Sequence, residues 1–471
     1  MIWHRFLQVA QAHAHATAVI GEDETLTYAD FVARVNVEAG KLPRRADMGR
    51  PARVLLVPTE PATLLLRVFA CWSRGLVPVV LREGQTEESL KRISGIAEPV
   101  LILSDTTPQH PQHVSQEDAP PFTARDEALV MCTSGTTGTP KLVALPAEGV
   151  LATASAIADD LGFSEGDIIA VPTPLTYMYG LMGASVTGLL SGAALRLFVP
   201  GAPLTVVQSA IRREKITVMQ GPPSLMRLFL AYWGGEPFDS VRLVTTGGEY
   251  MTSEMVTDLA KAFPQSQFRL LYGMTEAGPR ISHCQSVTEY KGGLCVGVPF
   301  DHFEWRVVPV EQEGLPSGAG RLALRGPSVC LGYIQPENKY AGVDTDGYFT
   351  STDIVCTVDD ASLCFFGRQD RLFKTGGKLI NPLEIEALLM RHPDVRDAVC
   401  HAEDHRLLGL VPVAQVVLKE GAQTDSATLI AHCAVLETHA VPHRIDILRA
   451  LCISASGKRV VATAAGSSTL P

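Results

Sequence analysis

The chain reads as an α/β protein. A large N-terminal domain is built on stacked, largely parallel or mixed sheets with helices, and it includes a β-rich subdomain over about 294–366. A small α/β C-terminal domain follows. Three observations predict this. Short apolar runs alternate with helically spaced stretches as far as Tyr272, the pattern of strands joined by helical crossovers. From Leu294 to Phe366 the helical spacing gives way to a succession of strand-like runs. At Gly367–Asp370 a charged breaker intervenes, and helix–strand alternation resumes after it. At 471 residues the chain is too long for one ordinary core and suggests two or three domains, here set at 1–367 and 368–471.

Taken in order, Tyr28, Val32, Val35 and Ala39 recur at helical spacing after Thr25-Leu26-Thr27. Arg53 to Val57 predicts a strand, Pro61 to Arg74 an apolar helix closed by Gly75, and Val77 to Leu81 and Val100 to Leu103 two more strands. Ala128 to Cys132 and Leu142 to Leu145 are strand-like, and Gly149 to Leu161 is helical. Ile168 to Val171, Ala194 to Val199, Ile216 to Met219, Val241 to Val244 and Phe268 to Tyr272 are extended. The last three run straight into Gly, Pro or Thr. Ligands of open α/β sheets sit beyond the carboxyl ends of strands, so chemistry is expected at those exits. Phe303 to Val308, Gly320 to Leu324 and Cys330 to Ile334 are strand-like, and Ile354 to Val358 with Ser362 to Phe366 form a hairpin around Asp359-Asp360. Pro382 to Arg391 and Thr424 to Leu436 are helical; Asp397 to Cys400 and Val411 to Leu418 are extended. The tail from Ala462 is expected to fray.

Composition narrows the class. Hydrophobic residues make up 46% and charged residues 19%, which suits a soluble enzyme with large buried sheets; the net charge of −10 argues against a general nucleic-acid binder. The ten cysteines are scattered without a C-x-x-C pair, which points to free thiols in a reducing cytoplasm rather than disulfides or zinc. The first nineteen residues, broken by Gln8, Gln11, His13 and His15, do not make a signal peptide. Thr176 to Leu195 is free of charge, but its glycines and hydroxyls suit a buried helix better than a membrane span.

Between the strand-like runs at Ala128 and Leu142, positions Thr133, Ser134, Gly135, Thr136, Thr137, Gly138 and Thr139 are all Thr, Ser or Gly, and Pro140-Lys141 follow. Such a loop suits phosphate, because glycines admit a ligand to the backbone and clustered N–H groups attract anions; a flexible surface turn is the ordinary alternative. A kinase-type loop would need G-x-x-x-x-G-K-[ST], whereas Gly135 and Gly138 are three apart and Lys141 precedes Leu142. Tyr272-Gly273-Met274-Thr275-Glu276 closes a strand with an aromatic ring, a hydroxyl and a carboxylate. These could serve a base, a phosphate oxygen and Mg²⁺, or make an ordinary strand-to-loop turn.

Thr-Ser-Gly-Thr-Thr-Gly-Thr-Pro-Lys resembles the phosphate-loop signature of the adenylate-forming superfamily, which includes acyl- and aryl-CoA synthetases, peptide-synthetase adenylation domains and beetle luciferases. The Tyr272–Glu276 segment is similar to that family's second signature and comes in the expected order. The resemblance implies that Thr133–Gly138 and Lys141 grip the β- and γ-phosphates of ATP. It implies that Tyr272 and Gly273 pack on adenine, Thr275 contacts the α-phosphate and Glu276 holds Mg²⁺. Thr246-Gly247-Gly248-Glu249 matches a segment lining the adenine and acyl pockets, beside Met274. Ser351-Thr352-Asp353 stands where the family commonly has Thr-Gly-Asp, so Asp353 would take the ribose hydroxyls. Thr352 in place of Gly makes the local backbone shape the open question. Gly367-Arg368-Gln369-Asp370, with Lys374, Gly377, Pro382 and Glu384-Ile385-Glu386, resembles the family's hinge motif: Arg368 would contact ribose or phosphate, and the small domain would turn about Asp370. Ser456-Gly457-Lys458 matches the catalytic lysine, although the family's usual downstream Arg is missing and Arg459 follows directly.

The resemblance therefore implies an AMP-forming acid–thiol ligase. A small carboxylic acid reacts with ATP·Mg²⁺ to an acyl-adenylate, and the acyl group passes to CoA. Transfer to the phosphopantetheine of an acyl carrier protein is the alternative. No acidic residue occurs from Val171 to Pro200, where relatives that activate α-amino acids place an Asp, so an unpaired ammonium there would be costly and the acid is expected to lack one. Tyr177 and Tyr179 either flank an aromatic acid, gate a pantetheine tunnel with Gly377, or pack the core. A luciferase-like oxygenase and an inactive nucleotide binder are the rivals from other classes.

Overall fold

In the computed structural model, residues 1–43, 51–105, 122–133, 141–290, 293–358, 361–453 and 459–460 are described. The alternation read from the sequence becomes two sheets around one shared core, to which helices Ile2–Ala12, Tyr28–Ala39, Pro61–Ser73 and Ala147–Leu161 contribute. In the first sheet the strands Ser282–Cys284, Gln267–Tyr272, Leu243–Gly247, Val218–Gln220, Ile168–Val171, Ala194–Leu197, Thr17–Ile20 and Thr25–Thr27 lie side by side in that order. Pairing is parallel from Gln267–Tyr272 across to Thr17–Ile20 and antiparallel at both edges. The second sheet runs Lys339–Ala341, Gly332–Gln335, Lys141–Pro146, Glu127–Thr133, Val77–Val80, Arg53–Leu56, Leu101–Leu103. Its last four strands are parallel and the rest antiparallel. The local signals behave as expected: Thr27 and Asp30 form a capping box, Pro61 opens its helix at the first turn, and Gly75 follows the helix end at a φ of 67°.

The β-rich stretch is a third, antiparallel sheet in the order Glu289–Tyr290, Gly293–Gly297, Ser362–Arg368, Phe349–Val358, Gly320–Arg325, Glu304–Pro309. Its hairpin reaches further than the sequence suggested, since Phe349–Val358 is paired from Asp353 onward with the partner strand as far as Arg368; the turn residues Asp359-Asp360 lie outside the described residues. After Gly367, the strands Phe373–Thr375, Lys378–Ile380, Val395–His405, Gly409–Leu418 and Arg444–Leu448 and the helices Pro382–Met390 and Ser426–His432 enclose a separate small core. Helix Pro382–Met390 also lays Ala387 against the cluster formed by Met251, Met255 and Phe263.

One stretch of the large unit differs from expectation. The charge-free run from Thr176 is helical only over Tyr179–Leu190, and its first eight residues are wound as a π-helix before Ala194 begins a strand. Gly180 permits this, because a Cβ there would lie 2.6 Å from the Pro174 carbonyl oxygen. Wide turns of this kind recur at functional sites. The helices Leu204–Glu214, Pro223–Ala231 and Ser253–Ala262 supply crossovers between parallel strands, as right-handed βαβ connections require. Among the described residues no helix is long and apolar enough to cross a membrane.

A buried ion pair ties the second sheet together. Arg53, fully buried, donates from Nε to Glu127 Oε1 at 2.6 Å and from Nη2 to Oε2 at 2.9 Å. Its Nη1 reaches Asn338 at 2.7 Å, and Tyr340 donates to Glu127 at 2.9 Å, so the late strand Lys339–Ala341 is locked to strands laid down far earlier. Removing one partner of a buried pair leaves the other charge uncompensated. Glu127→Ala is expected to lower the unfolding free energy by about 3–5 kcal/mol in a denaturant titration; a loss below about 1 kcal/mol, the range of surface pairs, would show the network to be dispensable.

Candidate active site

The strands Val218–Gln220, Leu243–Gly247 and Gln267–Tyr272 end side by side, and the last of them meets the Phe349–Val358 and Ser362–Arg368 hairpin. At the centre stands Tyr272, 8% exposed, whose hydroxyl donates to Asp353 Oδ2 at 2.7 Å. Its ring lies 5.8 Å from that of Phe365. Burial, reinforced by the Asp353 carboxylate, pushes the Tyr272 hydroxyl well above its ordinary pKa, so it stays a proton donor. Asp353 is the cross-strand partner of Arg368, and its backbone N–H donates to Ser351 Oγ at 3.1 Å. Thr352 is exposed on Phe349–Val358 where that strand's pairing with Gly320–Arg325 is interrupted, between the pairs Thr350–Ala323 and Ile354–Arg321, so the residue standing in place of glycine lies in a bulge.

Glu276 follows on a short 3-10 turn, Thr275–Ala277, and is held from a direction the sequence did not suggest. Tyr333, on Gly332–Gln335, donates to Glu276 Oε1 at 2.7 Å, and the Cys330 N–H donates to the Glu276 carbonyl at 2.8 Å. Because Tyr333 pairs with Val143, its ring shares a face with Lys141, whose Nζ lies 4.7 Å from the ring centroid. Lys141 and Glu276 are thereby brought to the same tyrosine. Arg368 forms a two-pronged pair with Asp370, Nε to Oδ1 at 3.0 Å and Nη2 to Oδ2 at 2.8 Å. Partial burial opposes its charge, but Asp370, Asp353 and Glu276 outweigh that and hold its pKa above the ordinary arginine value. The electrostatic neighbourhood of Arg368 thus joins the two carboxylates at the two strand exits.

The glycines explain how closely the segments approach. A Cβ on Gly273 would stand 2.2 Å from the Pro279 carbonyl oxygen, where the chain doubles back so that Ile281 N–H reaches the Tyr272 carbonyl at 2.7 Å. A Cβ on Gly247 would stand 2.3 Å from the Leu271 carbonyl oxygen, while Gly248 takes a φ of 87° beside open space. Met274 is partly buried against the main core. Glu249 lies just past the end of Leu243–Gly247 and reaches the segment that leaves the neighbouring strand Val218–Gln220. Its carboxylate accepts from Ser224 N at 3.0 Å and Oγ at 2.9 Å, meeting the N-terminus of helix Pro223–Ala231, with Arg227 at 3.4 Å. Tyr179 donates to the Thr245 carbonyl at 3.1 Å, and Tyr177 lies under Arg82, 4.8 Å from ring centroid to Cζ. Burial raises the Tyr177 hydroxyl to about 12. Gly377 takes a φ of 87° between the strands Phe373–Thr375 and Lys378–Ile380. Thr133 lies at the end of its strand, with Oγ1 3.4 Å from the Lys141 carbonyl. Ser134, Gly135, Thr136, Thr137 and Gly138, and the Ser456-Gly457-Lys458 segment, lie outside the described residues.

A buried aromatic ring, a fixed carboxylate, a guanidinium and a second carboxylate, gathered at strand exits, can receive a ribose diol, a phosphate and a phosphate-bound cation. Tyr333 is a member that motif reading missed, and only the pairing of its strand with Lys141–Pro146 reveals it. Residues 6–334 match the AMP-binding enzyme family, and residues 384–458 match the AMP-binding enzyme C-terminal domain. The chain is 31% identical over 316 residues to 4-coumarate–CoA ligase 4 of Arabidopsis thaliana, covering 64% of this chain and 55% of that protein's length. It is 29% identical over 381 residues to 4-coumarate–CoA ligase of Pinus taeda, covering 76% and 70%. Among solved structures, o-succinylbenzoate coenzyme A synthetase (MenE) from Bacillus subtilis with AMP superposes with a TM-score of 0.80 at 24% identity, over 97% of this chain and 96% of that one. The anthranilate CoA ligase AuaEII with anthranoyl-AMP gives 0.85 at 20%, over 97% and 95%. At these identities the structural likeness speaks for the fold.

Gly273 tests the close approach directly. Gly273→Ala is expected to force the Pro279–Arg280 backbone aside and lower the unfolding free energy by about 1–3 kcal/mol, read by chemical denaturation. An unchanged midpoint would show that the two segments do not pack as described.

Proposed function

Because the chain belongs to the AMP-binding enzyme family, we propose that it is an ATP-dependent, AMP-forming carboxylate–CoA ligase. The observation that carries this reading is the convergence of Tyr272, Asp353, Arg368 and Glu276 at the exits of two sheets, with Tyr333 holding Glu276. CoA, rather than a carrier-bound thiol, is the acceptor in this reading because the curated relatives it matches are named as CoA ligases. Nine described cysteines are free, which suits a reducing compartment such as the cytoplasm.

In the first half-reaction a carboxylate oxygen of the acid bonds to the α-phosphorus of ATP, the bond to the β-phosphate oxygen breaks, and pyrophosphate leaves. Tyr272 would face the adenine ring, and Asp353 would accept hydrogen bonds from the ribose hydroxyls. Thr275 would orient the α-phosphate, while Thr133–Gly138 and Lys141 would receive the departing phosphates. Mg²⁺ would be held by Glu276 together with phosphate oxygens. Among the described residues no group of three or more His, Cys, Asp and Glu could hold a metal by itself, and Mg²⁺ commonly takes one or two carboxylates plus substrate phosphates, a requirement Glu276 can meet. When bound, the ion supplies positive charge to the phosphates. Lys458 would add its ammonium where negative charge spreads over carboxylate and α-phosphate. In the second half-reaction the thiol sulfur of CoA bonds to the acyl carbon and AMP departs with the former carboxylate oxygen. Turning of residues 368–471 about Asp370 would exchange Lys458 for the Gly376-Gly377 turn between the two steps.

Lys458 separates the half-reactions. Lys458→Ala is expected to abolish acid-dependent ATP–pyrophosphate exchange while thioester formation from a supplied acyl-adenylate survives. Equal loss of both would contradict this division of labour.

A further inference from the structure

Arg280 is a buried cation that the proposed chemistry leaves unused. It lies where the chain doubles back past Gly273, is 1% exposed, and sends its guanidinium between the π-helical segment and the end of Val218–Gln220. Nη2 donates to Gln220 Oε1 at 2.9 Å and to the Gly183 carbonyl at 3.3 Å, both neutral acceptors. Nε and Nη1 have no hydrogen-bond partner among the described residues, nor does Nε2 of Gln220, itself 1% exposed. Three buried donor nitrogens on two contacting side chains are therefore left without an acceptor among the described residues. The Tyr179 ring lies 6.0 Å from the Arg280 Cζ, and its hydroxyl is already given to Thr245.

The charged group acting on Arg280 from nearby is Asp160, which stands 3.1 Å from His283. Burial lowers the Arg280 pKa to about 10, so the group remains a cation at neutral pH. A buried guanidinium without a hydrogen-bonded counter-charge is strongly unfavourable, and a carboxylate bonded to one of its free N–H groups supplies that charge. The carboxylates that act on Arg368 are Asp370, Asp353 and Glu276; those that act on Arg280 do not include them. The two arginines serve different ends of the site.

Resting on the ligase reading, we infer that the acid is a dicarboxylic acid, whose second carboxylate is received by Arg280 and Gln220 while the first is adenylated beside Thr275. The second carboxylate takes no part in bond making. It accepts hydrogen bonds from one free nitrogen of Arg280, Nε or Nη1, and from Nε2 of Gln220, and it compensates the buried charge. The same cation disfavours an α-ammonium, in keeping with the absence of acidic residues from Val171 to Pro200.

The test compares matched acids in ATP–pyrophosphate exchange: benzene-1,4-dicarboxylate against 4-methylbenzoate, and glutarate against pentanoate. The wild type is expected to favour the diacid of at least one pair in kcat/KM by roughly 30-fold or more, the scale of a buried charge pair. Arg280→Met, and independently Gln220→Leu, should collapse or reverse that ratio, a change that a general loss of folding would not produce. Wild-type preference for the monoacids, or variants that lower both members of a pair equally, would overturn the inference and leave the ligase reading in place. Exchange with no acid of either kind would remove both.

Discussion

The hydrogen bond from Tyr272 to Asp353 joins two sheets with different constructions, and the site depends on it. Tyr272 ends a strand of the mostly parallel sheet, while Asp353 belongs to an antiparallel hairpin eighty-one residues later in the chain. Strand pairing sets Asp353 opposite Arg368, and a slip of one residue would turn that carboxylate to the other face. The register of the hairpin therefore fixes the places of the carboxylate and the guanidinium together. Burial keeps the Tyr272 hydroxyl protonated, so it stays a donor that holds the Asp353 carboxylate in place. A nucleotide entering here would meet polar groups already oriented, with little conformational freedom left to lose.

The small C-terminal unit is held more loosely. It touches the large one through Leu383, Ala387 and Met390, through the Asn381 amide on the Phe366 carbonyl at 2.6 Å, through an ion pair of Arg227 with Asp397 at 3.6 Å, and through Arg391 with the partly exposed Glu289. The Arg391–Glu289 pair is exposed, and such pairs typically contribute about 0–1 kcal/mol, whereas Arg227 and Asp397 are mostly shielded from solvent. Arg368 and Asp370, at the passage from one unit to the other, are themselves paired. A turn of the chain about Asp370 would exchange that contact for one with the nucleotide, which links the proposed alternation of half-reactions to a modest local rearrangement rather than to unfolding.

Much of this was legible in the sequence because it is local. The strands that end at Val171 and Tyr272, the capping box at Thr27 and the segments around Gly273 and Asp353 announce themselves within a few residues. What stayed hidden depends on pairing between distant strands. Tyr333 reaches Glu276 across fifty-seven positions, Arg280 reaches Gln220 across sixty, and Tyr340 reaches Glu127 across two hundred and thirteen. Arg280 is instructive, because an arginine after a glycine-proline turn reads as surface charge until its burial is known. Glu249 has a partner its motif did not announce, since its carboxylate accepts from the N-terminus of a helix. The π-helical winding after Tyr179 also has no local signature beyond Gly180, whose need arises from the carbonyls of Thr173 and Pro174 packed against it.

The central claim is that a carboxylate oxygen becomes bonded to the α-phosphorus of ATP before a thiol takes the acyl group. Turnover of an accepted acid labelled with ¹⁸O in its carboxylate, with ATP and CoA, tests it most directly by mass spectrometry of the nucleotide product. The account predicts AMP carrying one ¹⁸O atom, formed with pyrophosphate and acyl-CoA. Release of ADP, or of AMP without the label, would contradict it.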